Sequence, residues 1–163
     1  MHRLGVLCVV LVTAFTVDAV AAGAVAPERP PAGAFRMSDP DGGFTVTKKR
    51  TAVTGLHVSF ENGTTPTSIC TSTELPVGKI TASISKKLKI TAAHRGGYTT
   101  YIVGRSTPKT SNGITAIPET FKLSTGGSAK GTLFLFWDWN GPKYGSAGFV
   151  VGDCSMYPNV KKR

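Results

Sequence analysis

Gly131-Thr132-Leu133-Phe134-Leu135-Phe136-Trp137-Asp138-Trp139-Asn140-Gly141-Pro142 is the longest apolar run beyond the amino terminus, and it holds both tryptophans of the chain. Aromatic and bulky aliphatic residues follow one another without helical spacing, which favours a strand covered on both faces. In such a strand Leu133, Leu135, Trp137 and Trp139 share one face, and Phe134, Phe136 and Asp138 the other. Asn140-Gly141-Pro142 then stops it. The run predicts a central strand, buried from Leu133 to Trp137, with its far end from Trp139 to Tyr144 at the margin of the sheet.

Outward from this run the period of two recurs. Leu56, Val58 and Phe60 alternate with His57 and Ser59; Ile80, Ala82 and Ile84 alternate with Thr81 and Ser83; Leu88 and Ile90 alternate with Lys89 and Thr91. Turn sequences such as Glu61-Asn62-Gly63, Arg95-Gly96-Gly97 and Thr125-Gly126-Gly127 separate them. No window past the amino-terminal leader offers a good amphipathic helix. The expectation is an all-β chain with a single antiparallel β-sandwich, or barrel-like, domain of about eight strands across residues 44–160, followed by a basic tail at 161–163.

Two segments come before that domain. Residues 1–24 carry Arg3, then an apolar core from Leu4 to Phe15, then small residues up to Ala22-Gly23-Ala24. This is the layout of a cleaved signal peptide, and its apolar core falls short of the roughly 20 residues a spanning helix needs. It predicts a secreted, extracellular protein with no transmembrane segment in the mature chain. Residues 25–43 hold four prolines and three glycines and predict a flexible arm or propeptide. Lys48-Lys49-Arg50 suits either a dibasic processing site or the edge of a strand that lysines protect from unwanted pairing, and Phe44-Thr45-Val46-Thr47 just before it favours the edge.

Cys8 leaves with the signal peptide, so Cys70 and Cys154, 84 positions apart, remain for an oxidising compartment. A disulfide is the expected outcome, and closing so long a loop stabilises the fold by about 4 to 5 kcal/mol in the chain-entropy view. Neither cysteine sits in a C-x-x-C or Cys/His cluster, so no metal site and no cofactor are expected.

Charge is the strongest compositional signal. The chain carries 19 Lys and Arg against 9 Asp and Glu, a net charge of +10 that survives loss of Arg3 and Asp18 with the leader. Lys86, Lys87 and Lys89 form the most compact group and are the candidate anion-binding residues; Lys48-Lys49-Arg50 and Lys161-Lys162-Arg163 form two more. Charge of this sign and size draws a protein toward anionic glycan, lipid headgroups or a host surface protein, with nucleic acid a less favoured partner. The competing reading is a solvated face that keeps the domain soluble. Trp139 and Tyr144 are candidate aromatic contacts, since such rings stack on sugars or rest in a membrane interface. Asn62-Gly63-Thr64 is a glycosylation sequon in an expected turn, with Asn62 as acceptor.

The inventory gives little support to catalysis. There is no G-x-S-x-G, H-E-x-x-H or P-loop. His57 and His94 could serve as an acid-base pair on RNA, with Lys89 or Arg95 holding the phosphate, but both occupy ordinary sites for solvated histidines. The sequence therefore favours a binding protein that acts on an anionic or carbohydrate surface outside the cell, in a host-interaction setting. A membrane-active toxin with an inserting aromatic loop and a secreted ribonuclease are the alternatives.

Overall fold

A computed structural model describes residues 29–63, 68–95, 98–106, 116–137 and 144–163. Residues 1–24, read above as a signal peptide, and residues 25–28 of the expected arm lie outside them, as do Trp139, Asp138 and the side chains of His94, Trp137 and Tyr144. Thirteen strands form among the described residues, with no helix. In chain order they are β1 (Gly33–Ser38), β2 (Asp41–Val46), β3 (Ala52–Asn62), β4 (Gly78–Ile84), β5 (Leu88–Arg95), β6 (Tyr98–Val103) and β7 (Arg105–Ser106). They continue with β8 (Ala116–Ile117), β9 (Glu119–Leu123), β10 (Ser128–Trp137), β11 (Tyr144–Val151), β12 (Cys154–Met156) and β13 (Asn159–Lys162).

Eleven of these pair in one antiparallel sheet, and β7 and β8 pair separately. The expected count of about eight is too low, because short strands such as β7, β8 and β12 carry too few residues to display a period in the sequence. The sheet also doubles back on itself. From β10 the ladders pass through β11, β13, β1, β2, β3, β4 and β9 and return to β10, while β5 and β6 make a second bridge from β3 to β10.

β10, which contains Gly131 to Trp137 of the apolar run, pairs with three strands, as do β3 and β11. Its first half pairs with β9, its second half with β6, and Gly131 to Trp137 pair with β11 on the other side. Leu133 and Leu135 are buried in the core, and Phe134 and Phe136 are half-buried on the opposite face. The apolar contact beneath is extended by aromatic pairs, Phe35 stacked on Phe44 with ring centroids 5.2 Å apart and Phe121 edge-on to Phe149 at 6.2 Å.

The arm assigned to residues 25–43 is corrected from Gly33 onward. β1 and β2 form a hairpin whose Phe35, Met37, Phe44 and Val46 are fully buried, each contributing about 1.5 to 3 kcal/mol. The glycines that suggested a loop serve close packing instead: a Cβ at Gly42 would lie 2.4 Å from the His57 carbonyl oxygen and 2.5 Å from the Met37 methyl. Lys48-Lys49-Arg50 is the β2–β3 turn and not a strand edge, and Arg50 crosses back to bond the carbonyls of Arg29 and Pro30. The tail at 161–163 is likewise structured. Lys161 and Lys162 belong to β13, paired with Arg36 and Phe35, and the Arg163 amide donates to the Ala34 carbonyl at 2.9 Å.

Candidate functional site

β4 ends at Ile84 and β5 begins at Leu88, and the turn between them presents Lys86 and Lys87, with Lys89 two residues on. All three are exposed, because Leu88 and Ile90 take the inward positions of β5. Opposite them, Gly104 breaks the end of β6 and turns the chain into Arg105. The Gly104 amide donates to the Lys89 carbonyl at 2.8 Å, which holds Arg105 against the lysine turn. Together with Ile117 and Glu119 these residues line an open groove of about 520 Å³.

Beneath the groove lies Glu119, a carboxylate only 3% exposed. Its Oε1 accepts from the Arg105 amide at 3.0 Å and from Arg105 Nε at 3.3 Å, and its Oε2 pairs with the Lys86 ammonium. Burial pushes the Glu119 carboxyl up, but the hydrogen bonds and positive charges of Lys86 and Arg105 outweigh it and hold the group below its ordinary 4.5. Gly104 has φ of 111°, and a Cβ there would come within 2.9 Å of Glu119 Cγ, so the site needs glycine both for backbone conformation and for space.

The result is one buried anion under four cations, Lys86, Lys87, Lys89 and Arg105. Glu119 neutralises one of them, leaving the groove with a net charge of about +3 at neutral pH. Lys86 and Arg105 remain 57% and 60% exposed while bonded to it, and no described residue pairs with Lys87 or Lys89. A surface of this kind attracts anions without paying to desolvate its own charges.

Glu119 is the residue that reading by residue type passes over. The signal was present: Glu119, Phe121 and Leu123 alternate with Thr120 and Lys122, which puts the carboxylate on the inward face of β9.

A second basic groove, about 350 Å³, lies between β1 and β13 and is lined by Arg36, Met37, Ser38, Lys161, Lys162 and Arg163. Arg36 also approaches Asp41 at 3.9 Å in an exposed pair. On the outer face of β10 and β11 a shallow apolar cleft of about 280 Å³ is lined by Phe134, Phe136 and Tyr157, with Tyr157 72% exposed.

The remaining predicted residues separate. Cys70 and Cys154 form the expected disulfide, Cα atoms 5.7 Å apart. Asn62 as a glycan acceptor is corrected, since its side chain is fully buried. Its Nδ2 donates to the carbonyls of Ser72, Leu75 and Pro76 at 3.0 Å each, and its Oδ1 accepts from the Ser72 amide at 2.8 Å, leaving the folded chain no space for a sugar there. His57 is exposed on β3, where Nδ1 donates to the Gly55 carbonyl at 3.1 Å. Leu88 is level with Val53, and β5 then runs away from His57, so His94 lies ten strand positions from it, on the order of 30 Å along the ladder. The backbones of the two histidines are therefore far apart on the sheet.

Among the described residues, no three His, Cys, Asp or Glu side chains are grouped to hold a metal ion, and no helix is long and apolar enough to cross a membrane. Searches against family models, curated proteins and solved structures give no match.

Proposed function

We propose that this is a secreted, disulfide-tied β-protein that binds an anionic surface outside the cell through the Lys86–Arg105 groove. The observation that carries the reading is the convergence of Lys86, Lys87 and Lys89 from one stretch of chain and Arg105 from another over a single buried carboxylate supplied by a third. A merely solvated face would need no such assembly, since dispersed lysines keep a protein soluble equally well. The closed circuit of ladders supports a barrel-like reading of the sheet. The disulfide agrees with an oxidising compartment. Host interaction is the setting in which such binding would act.

The test is equilibrium binding of the mature protein to heparin, as a sulfated probe, at several salt concentrations. Binding should weaken steeply with salt, and Lys87→Gln/Lys89→Gln should weaken it about tenfold with the fold intact. No binding at low salt overturns the reading.

Membrane insertion is the second reading, and the cleft of Phe134, Phe136 and the exposed Tyr157 favours it. Leakage of dye from vesicles, lost in Tyr157→Ser, would support that mode; intact vesicles at micromolar protein would dismiss it. The ribonuclease reading loses its support with the separation of His57 from His94.

A further inference from the structure

The three basic groups of the sequence lie far apart in the chain, yet the strand register gathers them at one end of one ribbon. β13, β1, β2 and β3 pair successively, and β3 continues into β5. Arg163 is level with Ala34 through its amide bond, Ala34 with Thr45, and Thr45 with Thr54. One step beyond the Val53 to Leu88 pair, Thr54 is level with Lys87. A single row across the sheet therefore reads Arg163, Ala34, Thr45, Thr54, Lys87. Lys48 and Lys49, exposed in the β2–β3 turn, lie beside this row, since Thr47 donates to the Ala52 carbonyl at 2.9 Å.

The row faces outward: Arg163, Ala34, Thr45 and Lys87 are exposed, Thr54 is half-buried, and the neighbours Phe35, Phe44, Val53 and Leu88 fill the core. It spans four strand intervals, about 19 Å. Its ends are the two basic grooves, and its middle is three small side chains without charge. Asp39, Asp41 and Glu61 sit at the opposite end of the same strands, so the ribbon is polarised along its length.

We propose that the two basic grooves are the ends of one track for a linear polyanion, and that an extended sulfated glycan is its occupant. This rests on the anion-binding reading of the Lys86–Arg105 groove and adds to it a required length of ligand. A chain long enough to reach both grooves makes its second contact within the complex, so affinity rises once that length is passed. The middle of the row suits a sugar chain better than a nucleic acid. Hydroxyl and methyl groups of Thr45, Thr54 and Ala34 pack and hydrogen-bond along saccharides, whereas non-specific single-strand binding depends on aromatic platforms, and the row has none.

Heparin oligosaccharides of graded length, titrated calorimetrically against the mature protein, provide the test. Affinity should rise at least tenfold between fragments shorter and longer than about 19 Å. Thr45→Glu, which places a negative charge about 10 Å from Lys87 and beyond the ~8 Å screening length, should abolish that gain and leave short fragments unaffected. Thr45→Asp, at the same exposed position, repeats the test should the first variant fold poorly. Equal affinity for short and long fragments, unchanged in both variants, overturns the track while leaving the groove standing. No binding of any fragment removes the groove as well. Tighter binding of a single-stranded oligonucleotide of matched charge overturns the choice of glycan.

Discussion

Asn62 and Glu119 are both polar side chains at inward positions of strands, each beside a run of buried hydrophobic residues, and both are nearly inaccessible to water. They are satisfied in opposite ways. Asn62 is neutral, and its two amide hydrogens are shared among the carbonyls of Ser72, Leu75 and Pro76 while Oδ1 accepts from the Ser72 amide. Its partners are themselves fixed by the disulfide that joins Cys70 to Cys154, so this end of β3 is a closed clamp. Glu119 is charged, and two of its partners are the long side chains of Lys86 and Arg105, whose outer surfaces remain in water. A buried amide met by backbone makes a structural joint. A buried carboxylate met by flexible cations gathers positive charge at the surface.

This difference should be visible in stability. The largest loss is expected for Cys70→Ser/Cys154→Ser, about 4 to 5 kcal/mol by denaturant unfolding, since the pair closes a separation of 84 residues. Next comes Asn62→Ala, about 3 kcal/mol, because it strands buried carbonyls and an amide without partners. Thermal unfolding of that variant would show a drop of many degrees; an unchanged midpoint would break the distinction between the two ends. Glu119→Gln should cost less, about 1 to 2 kcal/mol, because Lys86 and Arg105 are rehydrated when they lose the carboxylate.

Acid titration separates the two ends further. The folded-state pKa of Glu119 is lowered, so its stabilisation is complete above the ordinary value of 4.5 and is lost as pH falls below that through the folded value. Glu119→Gln should therefore flatten the acid limb of the stability profile below about pH 4.5, whereas Asn62→Ala should shift the whole curve without changing its shape. The smallest stability effect, within 0.5 kcal/mol, is expected for Lys87→Gln/Lys89→Gln, whose loss should appear in binding instead.

Much of the fold could be read from alternation in the sequence. Leu133 and Leu135, Leu56 to Phe60, and Ile80 to Ile84 all face the core as their spacing requires. The disulfide followed from the cysteine count and the expectation of an oxidising compartment. The errors share one physical origin, since residue type was given more weight than position in the pleat. Gly42 and Gly43 looked like breakers, yet they sit in β2 because the Met37 side chain and neighbouring backbone leave no space for a Cβ. Asn62 looked like a turn acceptor, although it follows Phe60 by two and so shares the inward face. Glu119 stands in the same relation to Phe121 on β9. Arg105 could not be joined to the lysine turn from sequence alone, since that contact depends on the pairing of β5 with β6.

The central claim is that the groove above Glu119 binds anions through Lys87, Lys89 and their neighbours. It is tested most directly by measuring heparin affinity of the wild type and of Lys87→Gln/Lys89→Gln side by side across a salt series. A tenfold weaker variant with a shallower salt dependence, and unfolding unchanged, is the result predicted here. Equal affinities and parallel salt curves for the two proteins would contradict it.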